Sequence, residues 1–261
     1  QGIELALNGY VVNNSRFQWN LNFNVAYNQN ELTRTIDAGE DFLGIQVAGI
    51  GGGTGNTIQV LRVGESVNSF FVYEHILDDA GTPRSDQVDY NDDGATDDLD
   101  MYVDQNGDGV INESDRIIYE NALPDFMYGL TSSMNFGDFD LNFTLRANTG
   151  NYVYNNILSS GSARQNVTNL SAPPTNLLLR GLLTDFEEPQ FFSNYYVEDA
   201  SFIRLDNVTL GYNMNISERL NLRLYATGQN LFVLTEYTGL DPEIGNRATS
   251  GVPELGIDRD F

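Results

Sequence analysis

The chain has 261 residues, 13 Lys+Arg against 37 Asp+Glu, and a formal net charge of −24. That balance argues against nucleic acid, whose phosphates need clustered basic side chains, and against a basic patch for anionic lipid. The lack of Cys excludes disulfides, thiolate zinc sites and a catalytic Cys, and a single His, His75, excludes two-His metal motifs.

The rest of the composition, with 14 Tyr, 15 Phe and 25 Gly, suits strands and loops better than long helices. No run of about 18 apolar residues exists to form a membrane helix. No signal peptide is visible, and the chain opens at Gln1-Gly2-Ile3-Glu4 already in a strand-like pattern. The start reads as internal to a longer polypeptide.

In chain order, Ile3, Leu5 and Leu7 alternate with Glu4 and Asn8. Asn13-Asn14-Ser15 makes a hairpin turn, and Phe17, Trp19, Leu21, Phe23, Val25 and Tyr27 then share one parity. Gln18, Asn20, Asn22, Asn24, Ala26 and Asn28 take the other, so a strand points the two sets to opposite faces. A long link at about 37–57 follows. Its Gly49–Gly55 run resembles a phosphate loop only superficially, lacking the Lys-Ser/Thr pair, and reads as a mobile glycine loop. Phe70–Tyr73 forms a short strand, with His75 just beyond it as a loop or interface residue. A second long link, at about 76–122, is acidic.

Phe126, Tyr128, Leu130, Met134 and Phe136 resume the alternation, and Gly137-Asp138 turns the chain into Phe139, Leu141, Phe143, Leu145 and Ala147. A third long link covers about 150–195. Val208, Leu210, Tyr212 and Met214, a short link at Ile216–Arg219, and Leu220, Leu222, Leu224 and Ala226 complete the pattern.

Strands of roughly ten residues, short turns on one side and long loops on the other make the pattern of an outer-membrane β-barrel. The competing reading is a soluble β-sandwich, which also alternates. The polar parity is Asn, Gln, Thr and Ser rather than Lys and Glu, which suits a wet lumen. Aromatics at strand ends (Tyr10, Phe17, Tyr27, Phe126, Phe136, Phe139) suit interface girdles.

The acidic link carries a candidate metal site. Asp104, Asn106, Asp108, Asn112 and Asp115 fall at positions 1, 3, 5, 9 and 12 of a twelve-residue calcium loop. Gly109 takes the sharp turn at position 6, Val110 offers its carbonyl at 7, and Ile111 anchors position 8. Asp89, Asn91, Asp93, Asp97 and Asp100 repeat the spacing upstream with Gly94 at position 6, though Thr96 is a weaker anchor. Between Asp78 and Asp115, 13 of the 37 acids stand beside Arg84 alone, and bound calcium would relieve their repulsion. Without a bidentate Glu at position 12 or a long flanking helix, the Asp104–Asp115 loop reads as structural rather than as a sensor. The plain alternative is a solvated acidic loop. Carboxylates are too plentiful for any glycosidase pair to stand out, so nothing points to an enzyme.

Tyr196-Val197-Glu198-Asp199-Ala200-Ser201-Phe202-Ile203-Arg204-Leu205-Asp206-Asn207-Val208-Thr209-Leu210-Gly211-Tyr212 resembles a signature of the SusC/RagA-type TonB-dependent transporters of Bacteroidota. Leu224–Leu231, Tyr237–Glu243, Asp104–Arg116 with Pro124–Leu130, and Gly2–Leu5 with Phe17–Asn20 resemble further segments of the family in order. The resemblance implies an all-β transmembrane antiparallel barrel with long extracellular loops, 22-stranded in the family and plugged. Residues 1–261 would be the C-terminal part of such a barrel, roughly eight to ten strands, with a calcium-binding insertion at about 78–118 and without the plug or final strand. It implies import of oligosaccharides or oligopeptides with a SusD-like surface lipoprotein, energised by a TonB-ExbB-ExbD complex acting on the absent N-terminal part. Phe17, Trp19, Leu21, Phe139, Leu141 and Phe143 would face lipid, and Asn20, Asn22, Asn24, Asn142 and Arg146 the lumen. Tyr152, Tyr154, Phe191, Phe192, Tyr195 and Tyr196 could stack on sugars, although packing is the plainer role of each. The competing function is a calcium-stabilised extracellular β-sandwich adhesin or carbohydrate-binding protein.

Overall fold

A computed structural model describes residues 1–35, 43–51, 56–169, 177–217, 220–243, 247–249, 252–254 and 256–258. In chain order the strands are β1 (Gly2–Asn13), β2 (Phe17–Asn28), β3 (Ile45–Gly49), β4 (Thr57–Leu61), β5 (Ser69–Tyr73), β6 (Arg116–Asn121), β7 (Phe126–Phe136) and β8 (Phe139–Thr149). There follow β9 (Tyr152–Asn155), β10 (Val197–Asp199), β11 (Phe202–Ser217), β12 (Leu220–Thr235), β13 (Arg247–Thr249), β14 (Val252–Glu254) and β15 (Ile257–Asp258). They fall into two units.

The first unit holds Gln1–Gln29, Pro124–Asn151 and Ala200–Glu236. It is one antiparallel sheet of six long strands in the order β1-β2-β7-β8-β11-β12. Its turns have the chemistry the sequence suggests. Asn14 Oδ1 accepts from the N–H groups of Arg16 and Phe17 at 3.0 and 2.9 Å. Gly137 adopts φ +58°, a conformation open to glycine at little cost. The Ile216–Arg219 link falls partly outside the described residues, but Ser217 pairs with Leu220 across it.

The register keeps the two parities apart across all six strands. Leu5 pairs with Val25, Val25 with Tyr128, Tyr128 with Ala147 and Ala147 with Ile203. On the other face Ala6 pairs with Asn24, Asn24 with Gly129 and Gly129 with Arg146. The apolar face, from Ile3 to Leu234, carries no Asp, Glu or Arg among these paired positions, and Ile3, Leu5, Leu210 and Leu224 on it are exposed. Its one buried hydroxyl, Ser132, receives the Trp19 indole N–H at 3.0 Å. In β11 a bulge at Asp206 shifts the parity, so Leu205 and Val208 share a face.

The second unit holds Asn30–Leu123, Tyr152–Asp199 and Tyr237–Phe261. The described residues of the three long links are therefore folded, with a core of their own. A four-stranded sheet β3-β4-β5-β6 and a three-stranded sheet β10-β9-β15 pack around buried Ile58, Phe70, Val72, Tyr154, Phe186 and Tyr196. The Phe70–Tyr73 strand belongs here, so six strands rather than eight to ten form the long sheet. The Gly49–Gly55 run links β3 to β4; residues 52–55 lie outside the described set.

Candidate metal centre

The two acidic loops hang from one spine. Ile76 N–H donates to Met101 O at 2.8 Å, and Val103 N–H donates to Glu74 O at 3.0 Å. Glu74–Ile76 thereby closes the upstream loop, Asp89–Asp100, and opens the downstream one, Asp104–Asp115.

The loops share a fold position by position. At position 1, Asp89 accepts from Gly94 N–H at 2.9 Å and Asp104 from Gly109 N–H at 2.8 Å. At position 3, Asn91 and Asn106 accept from the N–H of Asp93 and Asp108 at 2.9 and 2.8 Å. At position 5, Asp93 and Asp108 accept from Ala95 and Val110, both at 2.9 Å. At position 9, Asp97 and Asn112 cap short helical turns, with Asp100 and Asp115 completing the capping boxes. Position 12 is buried in both loops, and Asp100 and Asp115 receive the N–H groups of positions 2 and 9. Positive φ recurs at position 4 (Asp92 +59°, Gly107 +74°) and position 6 (Gly94 +93°, Gly109 +80°).

Electrostatically the loops are held by N–H groups. The Gly109 N–H bond, with that of Gly107, keeps the Asp104 carboxyl below the usual range against some desolvation. Burial pulls the Asp100 carboxyl up, but N–H bonds from Asp97, Tyr90 and Asn91 and the charge of Arg84 bring it down. Burial, then the charges of Asp97 and Glu188, raise Asp98.

Asp104 Oδ1 and Oδ2 each accept one N–H and retain a second lone pair, whereas Asp100 Oδ1 accepts two, from Tyr90 and Asn91. One oxygen stands apart: Asp89 Oδ1 is buried with no hydrogen-bond partner. A buried unpaired carboxylate oxygen is costly, and a cation is a suitable partner for it. Among the described residues no three Asp, Glu or His side chains close into a ready cage, so Asn and backbone oxygens would have to contribute. The Val110 carbonyl accepts from Asn112 Nδ2 at 3.2 Å, and Ile111 is half-buried while Thr96 is exposed.

The other candidates separate clearly. Tyr154 and Tyr196 are fully buried and cannot meet a sugar, and burial pushes both phenols up. Tyr152, Phe191, Phe192 and Tyr195 pack against the core, with the Arg116 guanidinium 3.8 Å from the Phe192 ring centre. His75 lies beyond β5, outside the strands, and is buried with partners for both ring nitrogens inside the unit.

On the polar face of the long sheet, Asn22, Asn24, Thr131, Thr144 and Arg146 line an open groove of about 920 Å³. Arg146 grips Asp206 at 2.6 and 3.1 Å, and Arg223 grips Asp140 at 3.1 and 2.6 Å. The second pair was not apparent from alternation. Its signal was Gly211, a glycine inside a strand, which marks a close approach. A Cβ there would lie 2.4 and 2.6 Å from the Asp140 oxygens.

No family model matches the chain. It is 35% identical over 259 residues to the TonB-dependent receptor SusC of Bacteroides thetaiotaomicron, covering 93% of the chain and 24% of SusC. It is 30% identical over 262 residues to the TonB-dependent receptor P3 of Formosa agariphila, covering 95% of the chain and 25% of P3. The chain thus spans about a quarter of the length of the curated relatives it matches. Among solved structures it is similar to a chain of the RagAB peptide importer in its closed-closed state, with TM-score 0.65 and 17% identity over 99% of this chain and 27% of that one. It is also similar to a chain of the RagAB peptide transporter, with TM-score 0.61 and 22% identity over 92% of this chain and 26% of that one. Over a segment about a quarter of their length, the chain is thus similar in sequence to the TonB-dependent receptors SusC and P3 and similar in fold to a chain of RagAB.

Proposed function

We propose that the chain supplies wall strands and external loops to an outer-membrane, TonB-dependent importer of oligosaccharides or oligopeptides. The observation that carries this is the uncharged apolar face of the long sheet, bounded at both ends by aromatics. Phe17 meets Phe136 at 6.4 Å and Phe139 meets Tyr212 at 4.6 Å at the turn end, and Tyr27 meets Phe126 at 5.0 Å at the other. From Phe17 to Tyr27 is ten residues, or about 33 Å along the strand at ~3.3 Å each; tilted by ~40° this spans about 25 Å, the height of a barrel's apolar band.

The rest of the reading follows from that wall. Turns would face the periplasm and the long links the outside. The segment would be the C-terminal part of its barrel, with the plug engaging the TonB-ExbB-ExbD complex elsewhere in the protein. A SusD-like lipoprotein would deliver substrate to the loops. Calcium is the proposed ion of the Asp104–Asp115 and Asp89–Asp100 loops. The matching hydrogen bonds of the two loops and the orphaned Asp89 Oδ1 support it. Its role would be to neutralise clustered carboxylates and stiffen the rim.

The test is to extract the native full-length protein from outer membranes in detergent and identify copurifying chains by mass spectrometry. Recovery with a SusD-like lipoprotein, followed by sugar or peptide binding to the complex, is expected. Recovery as a soluble, partnerless protein would sink the barrel reading in favour of a calcium-stabilised adhesin.

A further inference from the structure

The only histidine of the chain sits at the junction of the two acidic loops with the body of their unit. His75 pairs with Tyr102, between Asp100 and Asp104. Its backbone N–H donates to Asn194 Oδ1 at 3.0 Å. Its ring Nε2 lies 2.9 Å from Arg84 O, and its Nδ1 lies 2.9 Å from Ser193 Oγ. A carbonyl can only accept, so Nε2 carries the proton. A neutral ring then leaves Nδ1 to accept from the Ser193 hydroxyl. The ring is walled by Tyr102 and Phe186, with centres 4.9 and 5.6 Å away.

Both ring bonds lead outward. Arg84 N–H donates to Ile76 O at 3.0 Å, and its Nη1 donates to Asp100 O at 3.3 Å, at the end of the upstream loop. Its guanidinium also covers the Tyr90 ring at 4.6 Å. Ser193 belongs to the segment whose Phe192 carbonyl accepts from Tyr73 N–H at 2.8 Å. The Ser193 hydroxyl oxygen already receives Tyr195 N–H at 3.1 Å.

We propose that His75 is a proton-sensitive pin that fastens the paired acidic loops to the Phe186–Asn194 segment, so that acidification loosens both loops together. A second ring proton turns Nδ1 into a donor facing a hydroxyl that has been donating to it. The Ser193 proton must then leave, and a charge must sit between two aromatic rings. The charged and titratable groups around the ring are Asp86 and Arg84 on the segment before the upstream loop, and Tyr102 between the loops. The 186–194 segment faces the ring with Phe186, Ser193 and Asn194, none of which is charged. No carboxylate bonds the ring to welcome the charge.

Burial is the larger force on this group, and it outweighs the Arg84 carbonyl and the Asp86 charge to lower the imidazole to about 4. Its ordinary value is 6.5. The pinned state is therefore intact above 6.5 and is lost as pH falls from there towards 4. At pH 5 the opened state gains about 30-fold over pH 7.5.

The test is hydrogen–deuterium exchange, corrected for intrinsic rate, on the full-length receptor in detergent at pH 7.5 and pH 5. A chelator is present throughout, so metal release makes no contribution. Peptides covering 74–76, 101–103 and 192–194 are expected to open about 30-fold more at pH 5. His75→Gln keeps an N–H for Arg84 O and cannot take a charge, and its response should vanish. An equal pH response in His75→Gln, or none in the native protein, overturns the proposal. Should His75→Gln already be loose at pH 7.5, Ser193→Ala decides. Loss of the hydroxyl donor to Nδ1 should move the native response to higher pH, and an unmoved midpoint overturns the proposal.

Discussion

Gly211→Ala is the sharpest test of how the long sheet is built. Gly211 on β11 pairs with Asp140 on β8 and Tyr225 on β12. Over its bare Cα, Arg223 reaches across from β12 to grip Asp140, and Asn213 Nδ2 adds a bond to Asp140 Oδ1 at 3.2 Å. A methyl group at residue 211 would lie 2.4 and 2.6 Å from the two carboxylate oxygens and 2.7 Å from Arg223 Nη2. None of these distances is tolerable, so the pair must open. Charge-assisted bonds are the stronger kind, but the Arg223 side chain is 44% exposed, so solvent screens part of what the pair contributes. Alanine in a strand recovers about 0.5–1 kcal/mol that glycine forfeits. Opening the pair and displacing Asp140 and Arg223 should outweigh that gain, so Gly211→Ala should be destabilising in the native background.

The Asp140→Ala background reverses the sign. With the carboxylate gone Arg223 loses its partner and can swing aside, and Gly211→Ala should be neutral or stabilising by about 0.5 kcal/mol. The assay is equilibrium urea unfolding of the full-length receptor in detergent, for the native protein, the two single variants and the double. Equal costs of Gly211→Ala in both backgrounds would falsify the reasoning, because glycine would then be needed for its backbone and not for the pair above it.

Three further outcomes are expected. Leu21→Arg, on the apolar face, should cost about 2–4 kcal/mol in lipid, while Asn22→Arg, one residue on, should cost far less; similar losses in lipid-reconstituted unfolding would refute the assignment of faces. Ser132→Ala should strip the Trp19 indole of its buried partner and cost about 1–2 kcal/mol by the same measurement, and a neutral result would mean that the bond at 3.0 Å contributes nothing net. Titration calorimetry of the full-length protein should show Asp104→Asn and Asp89→Asn each removing one calcium-binding event, with saturating calcium at ~100 times Kd adding about 2.7 kcal/mol of stability; unchanged stoichiometry in both variants would leave the loops merely acidic.

Much of the long sheet is legible in its residues because a strand's side-chain period of two survives intact wherever one face is uniformly apolar. Phe17 to Tyr27 and Phe126 to Phe136 can be read straight off. The period fails where the backbone breaks it. Asp206 inserts a residue into β11, so Ile203 and Leu205 sit on the opposite parity in sequence from Val208 and Leu210, yet on the same face in space. In β12 the pairing passes over Asn230, at φ +49°, and Leu231; two residues restore the parity, so Phe232 and Leu234 stay on the face of Leu222 and Leu224.

The second unit resists reading for a different reason. Its strands are two to six residues long, and some find partners far away: β9 pairs with β10 some forty residues on, and with β15 a hundred on. A short strand buried on both faces has no alternation to show, as Ser69 to Val72, all buried, illustrate. The acidic loops escape this difficulty because their order is local. Every carboxylate or amide that shapes them, from Asp89 to Asp115, accepts an N–H within ten residues of itself, so spacing alone encodes the geometry. What spacing could not encode is the attachment of those loops. That rests on His75, Arg84 and Ser193, and Ser193 lies 118 residues from the histidine it holds. Locally written loops on a non-locally written mount can be shifted as a block, which is why one buried imidazole can act on both at once.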